Sequence, residues 1–370
     1  MNIVFYTSFN ERSITLESTI LYFLNKGDNV YLLTTCPRGA IHKELENYGV
    51  NCYSSIDGRS KTYFNNIYHI LFLIRFCRKH KIDIIHSHLQ LPNFYSVIAN
   101  FFIKSKILTV RHNSDVIFLY GTPKERFLEK IINILSPCII AISKKVKQQL
   151  IEIENVDERK IIQINNGYDF LKYQNLSLLE EYTKLKTKYA GNFVILSPGR
   201  LMSSKRHHIC IEAMPELLKT YPNIQLIIIG NGLEKNNLEL LIKTLNLEAN
   251  VNLIDYQENI TDYIKLADIV VQLSVSEASN NIIKEAAYFE KTCIACSGVG
   301  DFDDYMIDCE SGFLLQKNNP KFEYIKCINK LTVNNKLYGQ KLKKEVLNQF
   351  DIKKIGKDYE NLHQNLFTKK

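Results

Sequence analysis

The sequence predicts an α/β protein built from two doubly wound parallel-sheet domains. Three observations carry that expectation. Its 370 residues exceed one ordinary core and suit two domains of roughly 150–200 residues each. Short apolar runs alternate with stretches of helical periodicity, the pattern of βαβ units whose sheet is covered on both faces. The alternation stops once, in the polar stretch KYQNLSLLEEYTKLKTKYAG at 172–191, and then restarts.

In the first domain, 1–172, residues 3–6 and 30–34 read as buried strands flanking an apolar-periodic helix at 16–25. Residues 64–79 place Ile67, Ile70, Leu71, Leu73, Ile74 and Phe76 at helical spacing. They end in Arg78, Lys79, His80 and Lys81, cations suited to a helix C-terminus. A strand at 82–86, a helix at 96–102 and strands at 107–110, 139–142 and 161–164 complete this half. The polar stretch is expected to be a linker, 173–190. The second domain, 191–345, reads as strand 193–196, helix 209–220, strand 224–229, helix 234–246, strand 251–254, helix 261–267, strand 269–273, helix 281–290 and strand 292–296. The tail from 336 is one basic helical pattern. No repeat or low-complexity segment interrupts the order.

Composition narrows the class. No apolar run approaches the roughly 20 residues that span a bilayer. Met1 leads at once into strand-like Ile3-Val4-Phe5-Tyr6, so no signal peptide is expected. Nine scattered cysteines, an odd number, suit reduced thiols. Of the net charge of +8, residues 1–172 hold 22 Lys and Arg against 15 Asp and Glu, while the remainder is nearly neutral. Such one-sidedness fits an anionic partner, lipid headgroups, a phosphorylated acceptor or nucleic acid, or else a merely solvated basic face.

In doubly wound sheets ligands bind at the strand C-termini, so the loops there hold the candidates. After the strand at 193–196 comes Ser197-Pro198-Gly199-Arg200-Leu201-Met202-Ser203-Ser204-Lys205. Gly199 permits a tight turn, and Arg200 and Lys205 can converge ahead of a helix from about His208. A guanidinium fork and an ammonium suit a diphosphate, although two surface cations would have the same spacing. After the strand at 269–273, SEASNNIIKEAAYFE starts a helix near Asn280 or Asn281, both good caps. Its first amides would face a ligand. Glu277 and Glu285 can both reach toward it as acceptors for vicinal hydroxyls, but the E-x7-E spacing by itself is common.

Three histidines end strands, His86 and His88 in DIIHSH and His112 in LTVRHNSD. Residues i and i+2 of a strand share a face, yet no Cys or carboxylate nearby completes a metal site. Donation to a sugar or phosphate oxygen suits them better. Cys293 and Cys296 lie inside a strand and read as small core residues.

These residues, in order, resemble a known family. GRLMSSK (199–205), GNG (230–232), SEASNNIIKEA (276–286), GVGDFDDYM (298–306) and SGFLL (311–315) look like the C-terminal domain of GT-B glycosyltransferases of family 4. DIIHSHLQ (83–90), TVRHNS (109–114), AISKKVKQQL (141–150) and INNGYD (164–169) are similar to the landmarks of its N-terminal domain. FDIKKIGKDYENL (350–362) resembles the family's closing helix. That implies a helix at 346–370 packing back toward the first domain, and two Rossmann-like domains facing across a cleft.

By the resemblance, Arg200 and Lys205 hold the nucleotide-sugar diphosphate with Gly199 and the amides at Asn280 and Asn281. Glu277 contacts the transferred sugar, Glu285 the ribose, and His112 the reaction centre. The implied enzyme is a retaining hexosyltransferase needing no metal or other cofactor. It would move a sugar from a UDP- or GDP-sugar to a lipid-linked or oligosaccharide acceptor for O-antigen, capsule or exopolysaccharide. Its implied place is the cytoplasm, free or peripheral on the inner face of the plasma membrane, with no nucleic-acid partner. RFCRKHK (75–81) is the expected membrane contact. A non-catalytic GT-B partner protein and a GT-B nucleotide-sugar epimerase are the competing readings.

Three departures from the family pattern stand out. Ser8-Phe9-Asn10-Glu11-Arg12-Ser13 replaces the usual Gly-Gly loop, leaving Arg12 to supply charge there. Ala278-Ser279-Asn280 replaces Gly-Phe-Gly, and Asp301 replaces the second glycine of a later pair. Asp301, Asp303 and Asp304 are expected to be loop residues.

Overall fold

A computed structural model of the chain describes residues 1–56, 66–113, 115, 117–118, 121–175, 179–257, 259–331 and 335–368. Contacts divide it into two units, Met1–Asp169 with Phe350–Lys370, and Phe170–Gln349.

The first unit is a seven-stranded parallel sheet in the order β3-β2-β1-β4-β5-β6-β7. Its strands are β1 (Asn2–Thr7), β2 (Asn29–Thr34), β3 (Asn51–Ser54), β4 (Ile84–His88), β5 (Lys106–Arg111), β6 (Ile139–Ala141) and β7 (Ile161–Gln163). β1 lies between β2 and β4, pairing Val4 with Tyr31 and with Ile85. Its near-continuous apolar run follows from helices on both faces. Val4 and Tyr6 enter a core with Leu73 and Phe76 of helix Asn66–Lys79 and Tyr95 of helix Gln90–Ala99. Phe5, on the opposite face, meets Phe23 of helix Ile14–Asn25 at 6.3 Å between ring centres. Each such side chain, fully buried, contributes about 2 kcal/mol.

The second unit is a six-stranded sheet in the order β10-β9-β8-β11-β12-β13, with every pairing parallel. Its strands are β8 (Phe193–Pro198), β9 (Ile224–Ile229), β10 (Val251–Ile254), β11 (Ile269–Gln272), β12 (Thr292–Cys296) and β13 (Phe313–Leu315). Both sheets change direction beside the strand that starts them, so each has a switch point where ligands bind in such folds.

Several elements differ from expectation. β3, β13 and helices Ala40–Asn47, Pro123–Leu135 and Pro320–Leu331 had no assignment from sequence. The expected helix at 96–102 is Gln90–Ala99, and the strand at 82–86 runs on to His88. The expected linker is structured. Helix Leu179–Lys188 packs on helix Thr261–Leu266, and Tyr189 is buried. The tail is two helices, Asn335–Phe350 and Ile352–Thr368. They part at Asp351, where Tyr168 N–H donates to Phe350 O, Ile352 N–H donates to Tyr168 O, and Lys353 N–H donates to Asp351 Oδ1. The second helix packs on helix Ile14–Asn25. Residues 64–65, Ser114, 176–178 and 369–370, which enter the expected helix, a motif, the linker and the tail, lie outside the described residues.

All nine cysteines are free thiols, and Cys293 and Cys296 are buried within β12. No helix among the described residues is long and apolar enough to cross a membrane.

Candidate active site

The second unit holds seven of the eight candidate residues, six of them in the segments that follow β8 and β11 and Glu285 buried inside the helix beyond. The loop after β8 is pressed against the loop after β9. Gly199 (φ +151°) and Gly230 (φ +155°) both need backbone freedom, and a Cβ on Gly230 would stand 1.9 Å from the Gly199 carbonyl. Gly199 N–H donates to Ile229 O at 2.9 Å and Leu201 N–H to Asn231 O at 2.9 Å. Arg200 is left exposed on this ledge, and Lys205 is half-buried.

Two neighbours that sequence reasoning passed over hold the loop. Arg206, in left-handed conformation (φ 55°), donates to Leu273 O at 2.7 Å and Lys317 O at 2.9 Å. His207 begins helix His207–Thr220, two residues before the expected 209, and shares a hydrogen bond with Ser197 Oγ at 3.0 Å. Burial pushes its imidazole down to about 4. Neither position has a local signal, because each partner lies across a strand-to-loop junction.

The turn after β11 brings Glu277 to the same place. Its Oε1 is ion-paired with Lys205 Nζ and accepts from Ser274 Oγ at 2.8 Å and Asn280 Nδ2 at 3.1 Å. Asn280 caps helix Asn281–Tyr288, its Oδ1 accepting from Ile283 N–H at 3.0 Å. Asn281 is the first helical residue and is exposed. Glu285 lies deeper. Its Oε1 accepts from Tyr173 Oη at 3.1 Å, and burial pushes the carboxyl up to about 7.

Asp301 lies in a turn, as expected, but it is buried and ion-paired with Lys284 Nζ at 2.6 Å. Asp303 and Asp304 are corrections, since both lie in the short helix Phe302–Tyr305. From that helix Asp303 closes the preceding loop, accepting from Ser297 Oγ at 2.6 Å and Gly298 N–H at 2.7 Å.

His112, the eighth candidate, belongs to the first unit. It follows β5, and its Nε2 shares a hydrogen bond with His88 Nδ1 at 2.9 Å. Burial pushes His112 down to about 4 and His88 well below the usual imidazole range, so both rings are neutral at pH 7. His86 is also a correction: it is wholly buried and shares a 2.7 Å hydrogen bond with His363, so it faces no ligand. Arg12 supplies no spare charge either. It forks onto Glu17 at 2.8 and 2.9 Å and meets Glu44 at 3.0 Å, because the loop it occupies lies directly before helix Ile14–Asn25. Among the described residues no group of three or more His, Cys, Asp or Glu could hold a metal ion.

Comparison with known proteins places these features in context. Residues 14–170 match the family described as Glycosyltransferase Family 4, and residues 180–345 the one described as Glycosyl transferases group 1. The capsular polysaccharide biosynthesis glycosyltransferase CapM of Staphylococcus aureus is 26% identical over 99% of this chain and 97% of its own. An N-acetylgalactosaminyltransferase of Campylobacter jejuni, named for a diphospho-undecaprenol substrate, is 26% identical over 77% of each chain. Among solved structures, Anabaena HepE in complex with UDP superimposes with a TM-score of 0.81 at 19% identity, covering 99% of this chain and 100% of that one.

Proposed function

Because this chain belongs to glycosyltransferase family 4 and has the GT-B fold, we propose that it transfers a hexose from a nucleotide sugar, with retention of configuration, to a lipid-linked or oligosaccharide acceptor of a surface polysaccharide. The observation that carries this reading is the meeting of Arg200, Lys205, Glu277 and the capped helix at Asn281 on two adjacent strand ends. The relatives' printed activities, CapM in capsule formation and the Campylobacter enzyme on a diphospho-undecaprenol saccharide, support the acceptor class. The HepE complex with UDP supports a nucleotide donor.

The chemistry follows from charge. Breaking the bond between the anomeric carbon and phosphate leaves negative charge on the diphosphate. Arg200 offers a fork to it, Lys205 its ammonium, and the amides of helix Asn281–Tyr288 further donors, with Gly199 admitting close backbone approach. Glu277 accepts from hydroxyls of the transferred sugar, and Glu285, kept part-protonated near pH 7, meets the ribose. His112, held neutral, offers a hydrogen bond to the sugar rather than a cation that would oppose a positive anomeric carbon. The reading needs no metal, since protein cations carry the phosphate charge. The departing phosphate takes the acceptor proton.

Anionic lipid is the proposed membrane partner, and the exposed groups suit it. Arg75, Arg78, Lys79 and Lys81 at the end of helix Asn66–Lys79 lie near Phe101 and Phe102, which are 68% and 57% exposed. Arg78 donates to Phe102 O at 2.9 Å, joining the basic and apolar parts of the patch. Aromatic insertion flanked by cations binds anionic headgroups.

Thermal-shift screening against UDP- and GDP-sugars identifies the donor, since binding to the folded state raises its melting temperature. Transfer with that donor, and the anomeric coupling of the product by NMR, test the reaction. An inverted product, or equal rates for wild type and Glu277→Ala, overturns it. Absence of flotation with anionic liposomes at low salt removes the membrane partner.

A further inference from the structure

One buried pair outside the assigned set is built into the turn that carries Glu277. Lys284 and Asp301 are 0% and 2% exposed, and their Nζ–Oδ2 distance is 2.6 Å. The ammonium uses three donors, to Asp301 Oδ2, Ser279 Oγ at 3.0 Å and Asn280 O at 2.9 Å. Asp301 in turn accepts from Ser279 Oγ at 2.7 Å and Asn280 N–H at 3.2 Å. The two side chains therefore grip both polar residues of the turn, on backbone and side chain together.

The grip passes to Glu277 by two routes. Asn280, fixed by the pair, directs its Nδ2 to Glu277 Oε1 at 3.1 Å and to Gln272 Oε1 at 3.3 Å. Gln272 donates onward to Pro198 O, at the start of the loop that bears Arg200 and Lys205. The second route is steric. Gly300, adjacent to Asp301, has φ +59°, and a Cβ there would stand 2.6 Å from Glu277 Cβ. The loop that carries Asp301 thus backs directly onto the glutamate.

Stability alone does not account for this arrangement. A buried ion pair can usually be replaced by well-packed apolar side chains without loss, because desolvation offsets its attraction. What such a pair adds is direction, through hydrogen bonds satisfied in one turn conformation.

We propose that Lys284 and Asp301 are positioning residues that set the Glu277 carboxylate for the transferred sugar, and so determine how much the sugar adds to donor affinity beyond its nucleoside diphosphate. The proposal rests on reading Glu277 as the sugar contact. It concerns the sugar's share of affinity: neither side chain of the pair bonds Arg200 or Lys205, and the helix keeps its Asn280 cap and first-turn amides without the pair.

The test is calorimetric affinity for UDP-glucose, UDP-N-acetylglucosamine and GDP-mannose, each against its own diphosphate. Wild type is compared with Lys284→Met/Asp301→Asn, which removes both charges at nearly constant volume. The double variant is expected to unfold near the wild-type temperature and to bind UDP or GDP within about twofold. Its sugar-dependent gain should fall about tenfold, the size of a lost hydrogen bond to a charged group. A gain equal to the wild type's in a folded double variant overturns the proposal, as does a wild type with no gain for any of the three sugars.

Two further variants separate the possible failures. If Glu277→Ala keeps the gain, the reading of the site fails and the proposal with it. If Glu277→Ala abolishes the gain while the double variant keeps it, only the positioning role fails. Should the double variant not fold, Ser279→Ala removes one strut without stranding a charge. It is expected to reduce the gain by about threefold, and an unchanged gain overturns the proposal.

Discussion

At the strand ends of the first sheet two imidazole pairs are buried neutral, His86 with His363 and His88 with His112. At the strand ends of the second, the paired groups are ions, Lys205 with Glu277 and Lys284 with Asp301. The first unit is not short of buried ions: Arg111, one residue before His112, binds Glu129 at 2.5 Å and Glu154 at 2.7 Å. Those ions join strand β5 to helix Pro123–Leu135 and to the segment around Glu154, so they brace the scaffold. The contrast is chemical: polar groups at the first unit's strand ends are held neutral by burial, whereas those at the second unit's are held charged by partners of opposite sign.

The largest expected effect breaks the scaffold side of this comparison. Arg111→Met strands Glu129 and Glu154 and should cost about 3–5 kcal/mol by denaturant unfolding. A change below about 1 kcal/mol would mean the cluster is hydrated rather than sealed.

Acid and base should next separate the units by sign. His112 and His363 are pushed down to about 4 by burial, so the folded state releases protons that the unfolded state binds between pH 6.5 and 4. Their contribution is fully present above pH 6.5 and lost as pH falls through that window, up to about 3 kcal/mol per group. His363→Gln should flatten this slope. Glu285, pushed up to about 7, acts in reverse. The folded state keeps a proton that the unfolded state has released, and stability falls as pH rises from 4.5 to 7, again by up to about 3 kcal/mol. Glu285→Gln should remove that loss in urea titrations at pH 5 and 8. Equal slopes in variant and wild type would mean that the carboxyl is solvated.

The site itself is sharpened by Lys205→Met, which removes the proposed phosphate contact and frees Glu277 from its ion pair. Transfer kcat/KM is expected to fall about 100-fold, near 2.7 kcal/mol. Retained activity would place the diphosphate elsewhere. Arg12→Met should have the smallest effect, less than about 1 kcal/mol in thermal unfolding, since its pairs with Glu17 and Glu44 are partly exposed.

The strands most legible in the sequence were those buried on both faces. The runs at 224–229 and 292–296 match β9 and β12 to the residue, because burial selects unbroken apolar stretches, and the run at 251–254 matches edge strand β10 although only its Val251 is buried. Edge strands β3 and β13, and helix Pro123–Leu135 with its Thr122–Glu125 capping box, escaped notice. NCYS and FLL are too short to carry a period, whereas the helix has an amphipathic pattern and a capping box that were legible and were passed over.

By itself, then, the chain determined its two parallel sheets and the loops where charge gathers, since both follow from local patterning and from where β-strands stop. Which charges meet was decided only by tertiary structure. Lys205 and Glu277 lie 72 residues apart, Lys284 and Asp301 lie 17, and His86 and His363 lie 277. No periodicity relates such positions. Burial then decides their protonation, because taking a group out of water penalises its charged form unless a partner of opposite sign comes with it.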